Sequence, residues 1–472
     1  MIRKLLIANR GEIAVRIVRA CRELDVTSVA VHTEADRHAL HVKKADEAYS
    51  IGPDSMGGYL SIPRLINVAR AAGCDALHPG YGFLSENPAL AEACQRAGIR
   101  FVGPPGAVIR RMGDKIAARQ TMQAAGIPVT PGSEGNLRDL QHARDEAARI
   151  GYPVMLKATN GGGGRGIRLC HDETELERQF DRVRSEATRA FGSTEIFVEK
   201  AIVNPRHIEV QVLGDAHGHV IHLFERDCSI QRRHQKLIEI APSPQIDPEL
   251  QQRLGQWAVD AARAVGYVNA GTVEFLVAQD GQAYFMEMNT RLQVEHPVTE
   301  LITGIDIVQE QIRIASGLPL RYRQDEVQVR GIALECRINA EDPANDFLPS
   351  FGRITRYFAP GGPGVRTDGA IYTGYTIPPH YDSMCAKLCV WALDWEQLIP
   401  RAKRALTDLG VYGVRTTIPF HLAILDHPEF RAASFDTSFL ANHPELARQP
   451  QPRSDRGLAI AIATAIAAHH RL

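Results

Sequence analysis

Two glutamates that a hairpin must bring face to face constrain this chain more than any other feature. Residues 271–277 read as a strand carrying Glu274 between Val273 and Phe275, and a second strand carries Glu287 between Met286 and Met288. Ala278-Gln279-Asp280-Gly281 lies between them, and Asp-Gly is a strong signal for a two-residue hairpin turn. With Asp280 and Gly281 as the turn, Gln279 pairs with Gln282, and counting back sets Glu274 opposite Glu287. Cross-strand Cβ atoms lie about 5 Å apart, and like charges there destabilise a sheet. Val273, Phe275, Val277, Met286 and Met288 then share the other, buried face. A divalent cation between the carboxylates removes the conflict. Oxygen ligands suit Mg²⁺ or Mn²⁺, and Mg²⁺ usually shares such sites with substrate phosphates. A pair of exposed glutamates is the plainer reading. Arg291 and Glu295, which follow at once, favour a metal–phosphate site.

Composition sets wide bounds. With 472 residues the chain has room for two or three domains. A hydrophobic content of 44% and a charged content of 23% are ordinary for a globular protein. A net charge of −1 gives no sign of a nucleic-acid or membrane partner. The eight cysteines are scattered without a C-x-x-C pair, which fits a reducing cytoplasm rather than a disulfide framework or zinc site. The first eight residues hold too short an apolar run for a signal peptide, and the run from Leu458 to Ala468 is too short to span a bilayer.

The first hundred residues alternate strand and helix. Leu5 to Ala8, Val29 to Val31, Asp75 to His78 and Ile99 to Val102 read as strands. Ile13, Ile17, Cys21 and Leu24 mark one helix face, and further helices run from Ser61 to Gly73 and from Asn87 to Gly98. This βαβ series implies a parallel sheet with helices on both faces, without the G-x-G-x-x-G of a dinucleotide site. Next, strands 154–157 and 167–170 flank a glycine run at 161–164 that ends in a strand, so it is neither a Walker nor a Rossmann loop. Such a hairpin tip can bring N–H groups to phosphate oxygens and act as a lid, although most glycine runs are linkers. In residues 225–236, seven of twelve side chains are ionisable, counting the histidine. They form either a solvated loop or a cationic site for bicarbonate and phosphate. Arg337 sits in an apolar strand, where it can pair with a core acid. After Gln449-Pro450-Gln451-Pro452, Leu458, Ile462 and Ile466 fall at helical spacing in an alanine-rich tail. That helix packs on its own domain or, the reading favoured, docks a partner subunit.

Taken together, Lys157 with the glycine loop, residues 225–236, Glu274, residues 287–297 and Glu335-Cys336-Arg337-Ile338-Asn339-Ala340-Glu341-Asp342 resemble biotin carboxylase. The resemblance covers roughly residues 1–445 with the motifs in order. Within that family the chain resembles the A subunit of two-subunit pyruvate carboxylases, on residues 349–354 and the tail. It resembles the biotin carboxylase subunit of acetyl-CoA carboxylase nearly as well. The resemblance implies an α/β and α+β architecture, the ATP-grasp fold: a Rossmann-like N-terminal domain (1–114), a mobile ATP-grasp lid (115–203), a C-terminal ATP-grasp and biotin carboxylase region (204–447), then linker and tail (448–472). None of the eight methionines precedes a lysine, so the Met-Lys-Met type of biotin attachment site is missing. Nor is there room for a carboxyltransferase domain. The expected partners are a biotinylated carrier subunit, a carboxyltransferase subunit, plus a second copy in a homodimer.

The resemblance also implies roles. Glu295 is the base that deprotonates bicarbonate, and Lys236, Arg291, Gln293 and Val294 hold that anion. Attack on the γ-phosphate gives carboxyphosphate, whose breakdown carboxylates biotin. Arg337 stabilises the biotin enolate, with Tyr81 nearby. Glu274 and Glu287, helped by Asn289, hold Mg²⁺ or Mn²⁺, two ions in all. Lys115, Lys157, Gly163 and Gly164 meet the phosphates. Glu199, Lys200, Ala201 and Ile202 read adenine, and His207, Gln231 and His234 contact the nucleotide. Two rivals stay open: another ATP-grasp ligase, such as a carboxylase of a purine precursor, and a nucleotide-binding module without catalysis.

Overall fold

The computed structural model describes residues 1–159 and 166–448, with only the backbone described for Met56 and Phe191. The glycine run and the apolar tail therefore lie outside the described residues, as do Gly163 and Gly164. At the N-terminus five strands form a parallel sheet in the order β3-β2-β1-β4-β5. They are β1 (Lys4–Ile7), β2 (Thr27–His32), β3 (Glu47–Ser50), β4 (Ala76–His78) and β5 (Arg100–Phe101). Leu5 and Ile7 of β1 pack on Ile13 and Ile17 of α1 (Gly11–Glu23). Leu6 points the other way, onto Leu65 of α2 (Ile62–Ala71) and Leu90 of α3 (Pro88–Arg96). The βαβ expectation holds, with β3 as an edge strand it lacked.

The lid region forms a separate antiparallel sheet. Its strands β6 (Val154–Ala158), β7 (Ile167–Cys170) and β8 (Ile196–Lys200) lie in the order β7-β6-β8, backed by α5 (Leu140–Ile150) and α6 (Glu173–Phe191). The intervening helix α4 (Lys115–Ala124) packs elsewhere, through Ala118 and Met122, beside α7 (Pro248–Ala264) and the 274–287 hairpin.

The largest sheet has eight strands, paired antiparallel in the order β13-β12-β9-β10-β11-β14-β16-β15. These are β9 (Arg206–Gly214), β10 (Val220–Arg232), β11 (Gln235–Ala241), β12 (Asn269–Val277), β13 (Ala283–Asn289), β14 (Ile332–Asn339), β15 (Val365–Gly369) and β16 (Met384–Ala392). Strand alternation gives it two faces. Val210, Phe275 and Met288 line an apolar face with α7, and Ile238, Cys336 and Leu388 continue that face toward α10 (Trp395–Asp408). The opposite face carries Glu209, Glu274, Glu335, Arg337 and Lys387, and is covered by α8 (His296–Thr303) and the N-terminal domain. Arg16 of α1 reaches Glu300 of α8 at 2.9 Å. Residues 225–236 are therefore not a solvated loop. They run along β10 into β11, with Glu225, Arg226 and Asp227 buried.

The hairpin corrects the sequence count in detail while keeping its result. The turn spans three residues, since Val277 pairs with Ala283 and the Ala278 N–H donates to the Gln282 carbonyl. Gly281 takes φ +82°, the left-handed position that ends such a loop. A bulge between Glu274 and Phe275 then shifts the register back, so that Glu274 still opposes Glu287. The price is one side chain: Phe285 joins the core, and Met286 does not.

Gly271 of β12 has no room for a side chain. A Cβ there would stand 2.5 Å from the ring of Tyr267, whose hydroxyl donates to the Ala270 carbonyl at 2.9 Å. Overpacking a core costs about 1–3 kcal/mol. Gly271→Ala should therefore lower the calorimetric Tm; an unchanged Tm would show that Tyr267 moves aside freely.

Candidate active site

Register brings three glutamates abreast. Glu287 of β13 opposes Glu274 of β12, which opposes Glu209 of β9, and Arg226 of β10 follows on the far side. Glu209 is fully buried, and Arg226 donates to it at 2.5 Å while also bonding Gln211 and Thr299. Lys236 reaches across from β11 into this row. Its ammonium donates to Glu209 at 2.5 Å, Glu274 at 2.9 Å and Glu295 at 2.7 Å. Burial alone would lower its pKa, but the carboxylates raise it well above the ordinary lysine range. Glu274 also accepts from His207 Nε2 at 2.8 Å, Asn289 at 2.7 Å and Gln293 at 3.2 Å. Burial opposes ionisation of Glu274, yet Lys236 and His207 hold its pKa well below the carboxylate range. Glu287 is pushed the other way, by burial and by Glu274, with Lys115 opposing.

Among the described residues Glu287 makes no side-chain hydrogen bond, and it faces an ionised Glu274 across the hairpin. Two facing carboxylates are the oxygen donors that a divalent ion such as Mg²⁺ takes, so the pair fits one. Asn289 donates its amide to Glu274 and accepts from Arg291 at 3.1 Å, which leaves the second lone pair of its carbonyl oxygen for a ligand bond.

Glu295 immediately precedes α8, which opens with His296-Pro297 and closes at Gly304 (φ +72°). A carboxylate at that end of a helix is favoured by the dipole. Arg337 donates to Glu295 at 3.0 Å and to Glu239 at 2.6 Å. Burial and the neighbouring Glu209 push the Glu295 pKa up. Lys236, Arg337 and Arg226 outweigh them and hold it low. Arg291 is anchored by Glu86 at 2.8 Å and by the side-chain carbonyl oxygen of Gln293 at 3.0 Å. Arg291, Gln293, Val294, Glu295 and Lys236 thus lie on one continuous network. Tyr81 joins it indirectly: its hydroxyl donates to Glu12, Glu12 pairs with Lys387 at 3.2 Å, and Lys387 donates to the Val294 carbonyl at 2.7 Å.

The nucleotide-side residues are placed more loosely. Lys157 of β6 pairs with Glu199 of β8 on the diagonal, since Phe197 is the residue directly opposite it. Lys200 bonds the carbonyls of Gly151 and Tyr152, while Ala201 and Ile202 follow β8. Lys115 opens α4 near Glu287, and burial lowers its pKa. Gln231 pairs with Lys236 at the end of the β10–β11 hairpin, and His234 is an exposed turn residue at φ +64°.

Sequence reasoning missed Glu209, Arg226, Glu239, Lys387, Glu12 and Glu86. Glu209 had a signal, since Ile208-Glu209-Val210-Gln211-Val212 alternates like the Glu274 strand. Glu12, Glu86 and Lys387 lie far along the chain and had none.

Three family models match in order: the biotin carboxylase N-terminal domain over residues 1–109, the ATP-binding domain of the carbamoyl-phosphate synthase L chain over 114–323, and the biotin carboxylase C-terminal domain over 335–442. The pyruvate carboxylase A subunit of Methanothermobacter thermautotrophicus is 54% identical over 93% of this chain and 90% of its own. The 2-oxoglutarate carboxylase small subunit of Hydrogenobacter thermophilus is 50% identical over all of both chains. A solved structure of the biotin carboxylase domain dimer of the Hydrogenobacter thermophilus 2-oxoglutarate carboxylase, with MgADP, ADP and bicarbonate, superposes at a TM-score of 0.92 and 51% identity, covering 96% of this chain and all of that one.

The charged face sets two contrasting expectations. Glu335 lies opposite Glu239, and burial and Glu239 raise its pKa well above the ordinary 4.5 against the pull of Lys387. An acid with a raised folded pKa loses stability as pH rises from its unfolded value toward its folded one. Glu335→Gln should then leave the Tm near wild type at pH 5 and gain on it by pH 8. Glu209→Gln strips the charge partner from fully buried Arg226 and should cost about 3–5 kcal/mol. A Tm for Glu209→Gln equal to wild type, or a Glu335→Gln gain that shrinks with pH, would contradict this charge assignment.

Proposed function

The chain belongs to the biotin carboxylase family, and we propose that its buried charged face divides the labour of that reaction among the residues described above. The chain is an ATP-dependent ligase with the ATP-grasp fold. Its reaction is ATP- and bicarbonate-dependent carboxylation of biotin borne on a carrier. Bicarbonate binds between Lys236 and Arg291, against the 293–294 segment. Glu295 takes its proton, and the freed oxygen attacks the γ-phosphorus as ADP leaves. The carboxyphosphate so formed splits into CO₂ and phosphate. Phosphate takes the N1′ proton of biotin, the enolate oxygen rests against Arg337, and N1′ bonds to CO₂. Fixed cations beside developing anions are usually the largest catalytic term, and losing one such donor costs about 3–4 kcal/mol. Glu274 and Glu287, helped by Asn289, would hold Mg²⁺ or Mn²⁺. The metal neutralises the β- and γ-phosphate charge. Lys115, Lys157 and the glycine loop with Gly163 and Gly164 add to that neutralisation. Glu199 to Ile202, His207, Gln231 and His234 complete the nucleotide contacts.

One observation carries this reading. Glu295 is held between Lys236 at 2.7 Å and Arg337 at 3.0 Å, so the base adjoins both an anion-holding lysine and the arginine assigned to biotin. ADP release by the full chain tests it, measured with and without bicarbonate and free biotin. Release should need bicarbonate and rise with biotin. A purine-precursor carboxylase would ignore biotin, and a module without catalysis would release no ADP.

The relatives lend support to an assembly. We propose a homodimer that charges a separate biotinylated subunit, then hands on to a carboxyltransferase subunit with a 2-oxo acid acceptor, as in the pyruvate and 2-oxoglutarate carboxylases named above. The eight cysteines are free and buried, which fits a cytoplasmic protein. Identifying the biotinylated protein that co-purifies with this chain tests the assembly. A partner specific for acyl-CoA would move the chain to the acetyl-CoA carboxylase type.

Glu287→Gln should raise the Mg²⁺ concentration needed for half-maximal rate and lower turnover in a folded protein; unchanged Mg²⁺ dependence would remove Glu287 from the metal site. Arg337→Ala should abolish biotin carboxylation while sparing part of the bicarbonate-dependent ATP hydrolysis. Equal loss of both activities in a folded variant would show that Arg337 serves the phosphate step too.

A further inference from the structure

Far along the chain from the charged face, two histidines and a glutamate converge near the C-terminal end of the described residues. His427 directly precedes the short helix α12 (Pro428–Arg431), and His443 directly follows α13 (Phe439–Asn442). His427, Glu429 and His443 each offer a ligand atom, and the three atoms lie within 4.8 Å of one another. His443 Nε2 stands 3.1 Å from Glu429 Oε2, and its Nδ1 stands 3.3 Å from Glu445 Oε1. The two imidazole rings lie 4.1 Å apart, and both pack on Phe439. The ring of His427 makes no hydrogen bond among the described residues, and its Nδ1 is buried.

Two ligand atoms on one tetrahedral zinc, each bonded at about 2.0–2.1 Å, stand about 3.3 Å apart. The spacing of Glu429 and His443 is that of such a pair. Metal-bound histidines almost always hand their other ring nitrogen to a carboxylate or carbonyl, and Glu445 occupies that place. His427 supplies a third donor, its ligand atom within 4.8 Å of the other two. Imidazole with carboxylate suits zinc and its first-row neighbours, whereas Mg²⁺ prefers oxygen alone. We propose that His427, Glu429 and His443 form a site for a zinc-class divalent cation, with Glu445 orienting His443 and water completing the coordination. The ion would clip the start of α12 to the end of α13, beside the apolar cluster of Phe430, Phe435 and Phe439. The site shares no residue with the catalytic network, so it stands or falls separately from the proposed reaction.

The test uses the full chain, stripped with a chelator, and a His427→Ala/His443→Ala variant whose biotin-stimulated ADP release matches wild type. Zn²⁺ titration by calorimetry should show one more bound equivalent in wild type than in the variant. Zn²⁺ should raise the wild-type Tm more than that of the variant, and Mg²⁺, which the Glu274–Glu287 pair takes in both, should act on the two proteins alike. Co²⁺ in place of Zn²⁺ should give the visible absorption of a four-coordinate nitrogen–oxygen site only in wild type. If the double variant loses ADP release, Glu429→Gln takes its place in the same comparison, where it should bind the extra ion more weakly. Equal stoichiometry and affinity, with an equal Tm response, would overturn the proposal and leave the cluster as histidine–carboxylate hydrogen bonds.

Discussion

The Lys236 ammonium is the interaction on which the rest of this structure depends. Three glutamates stand side by side on adjacent strands, an arrangement that like-charge repulsion would disrupt in any ordinary sheet. Lys236 offers three N–H donors and gives them to Glu209, Glu274 and Glu295. It thereby ties the row of glutamates to the loop that leads into α8. Arg226 braces Glu209 from the other side without any exposure to water. Removing one partner from such a network leaves an uncompensated buried charge, so its members are held in place together. A substrate anion entering here meets cations whose positions are already set by carboxylates.

The same logic joins the domains. The charged face is not covered by an apolar layer alone but by ionic partners from the N-terminal domain. Glu12 reaches Lys387, Arg19 reaches Asp368 at 3.1 Å, and Glu86 reaches Arg291. Buried Lys387 then fixes the Val294 carbonyl, one residue before Glu295. Tyr81, from the same domain, closes this chain of contacts through Glu12. A shift of the N-terminal domain would therefore move the Val294–Glu295 backbone, which links domain packing to the chemistry.

What was legible in the sequence was local. The Glu274–Glu287 opposition was correct because a bulge compensates for a turn one residue longer than expected, and Met286 is the residue that this compensation displaced. Residues 225–236 gave an ambiguous signal, since their charges suit a loop as well as a buried strand. Only the pairing of β10 with β9 and β11 shows that Arg226 has carboxylates to meet. Glu209 was readable from strand alternation. Lys387, Glu12 and Glu86 were not, because what makes a buried charge tolerable is a partner hundreds of residues away, and no periodicity carries that information. The packing of the helix Ile307–Ala315 against α1 and β12 is a further case of a long-range contact with no local signature.

The central claim is that this face delivers bicarbonate, rather than water, to the γ-phosphorus of ATP. The most direct measurement supplies heavy-oxygen-labelled bicarbonate with Mg-ATP and biotin, then reads the phosphate by mass spectrometry before the label exchanges with solvent. The account predicts one heavy oxygen in each phosphate released, since the oxygen that attacked phosphorus stays there when carboxyphosphate splits. Phosphate carrying only solvent oxygen would contradict it.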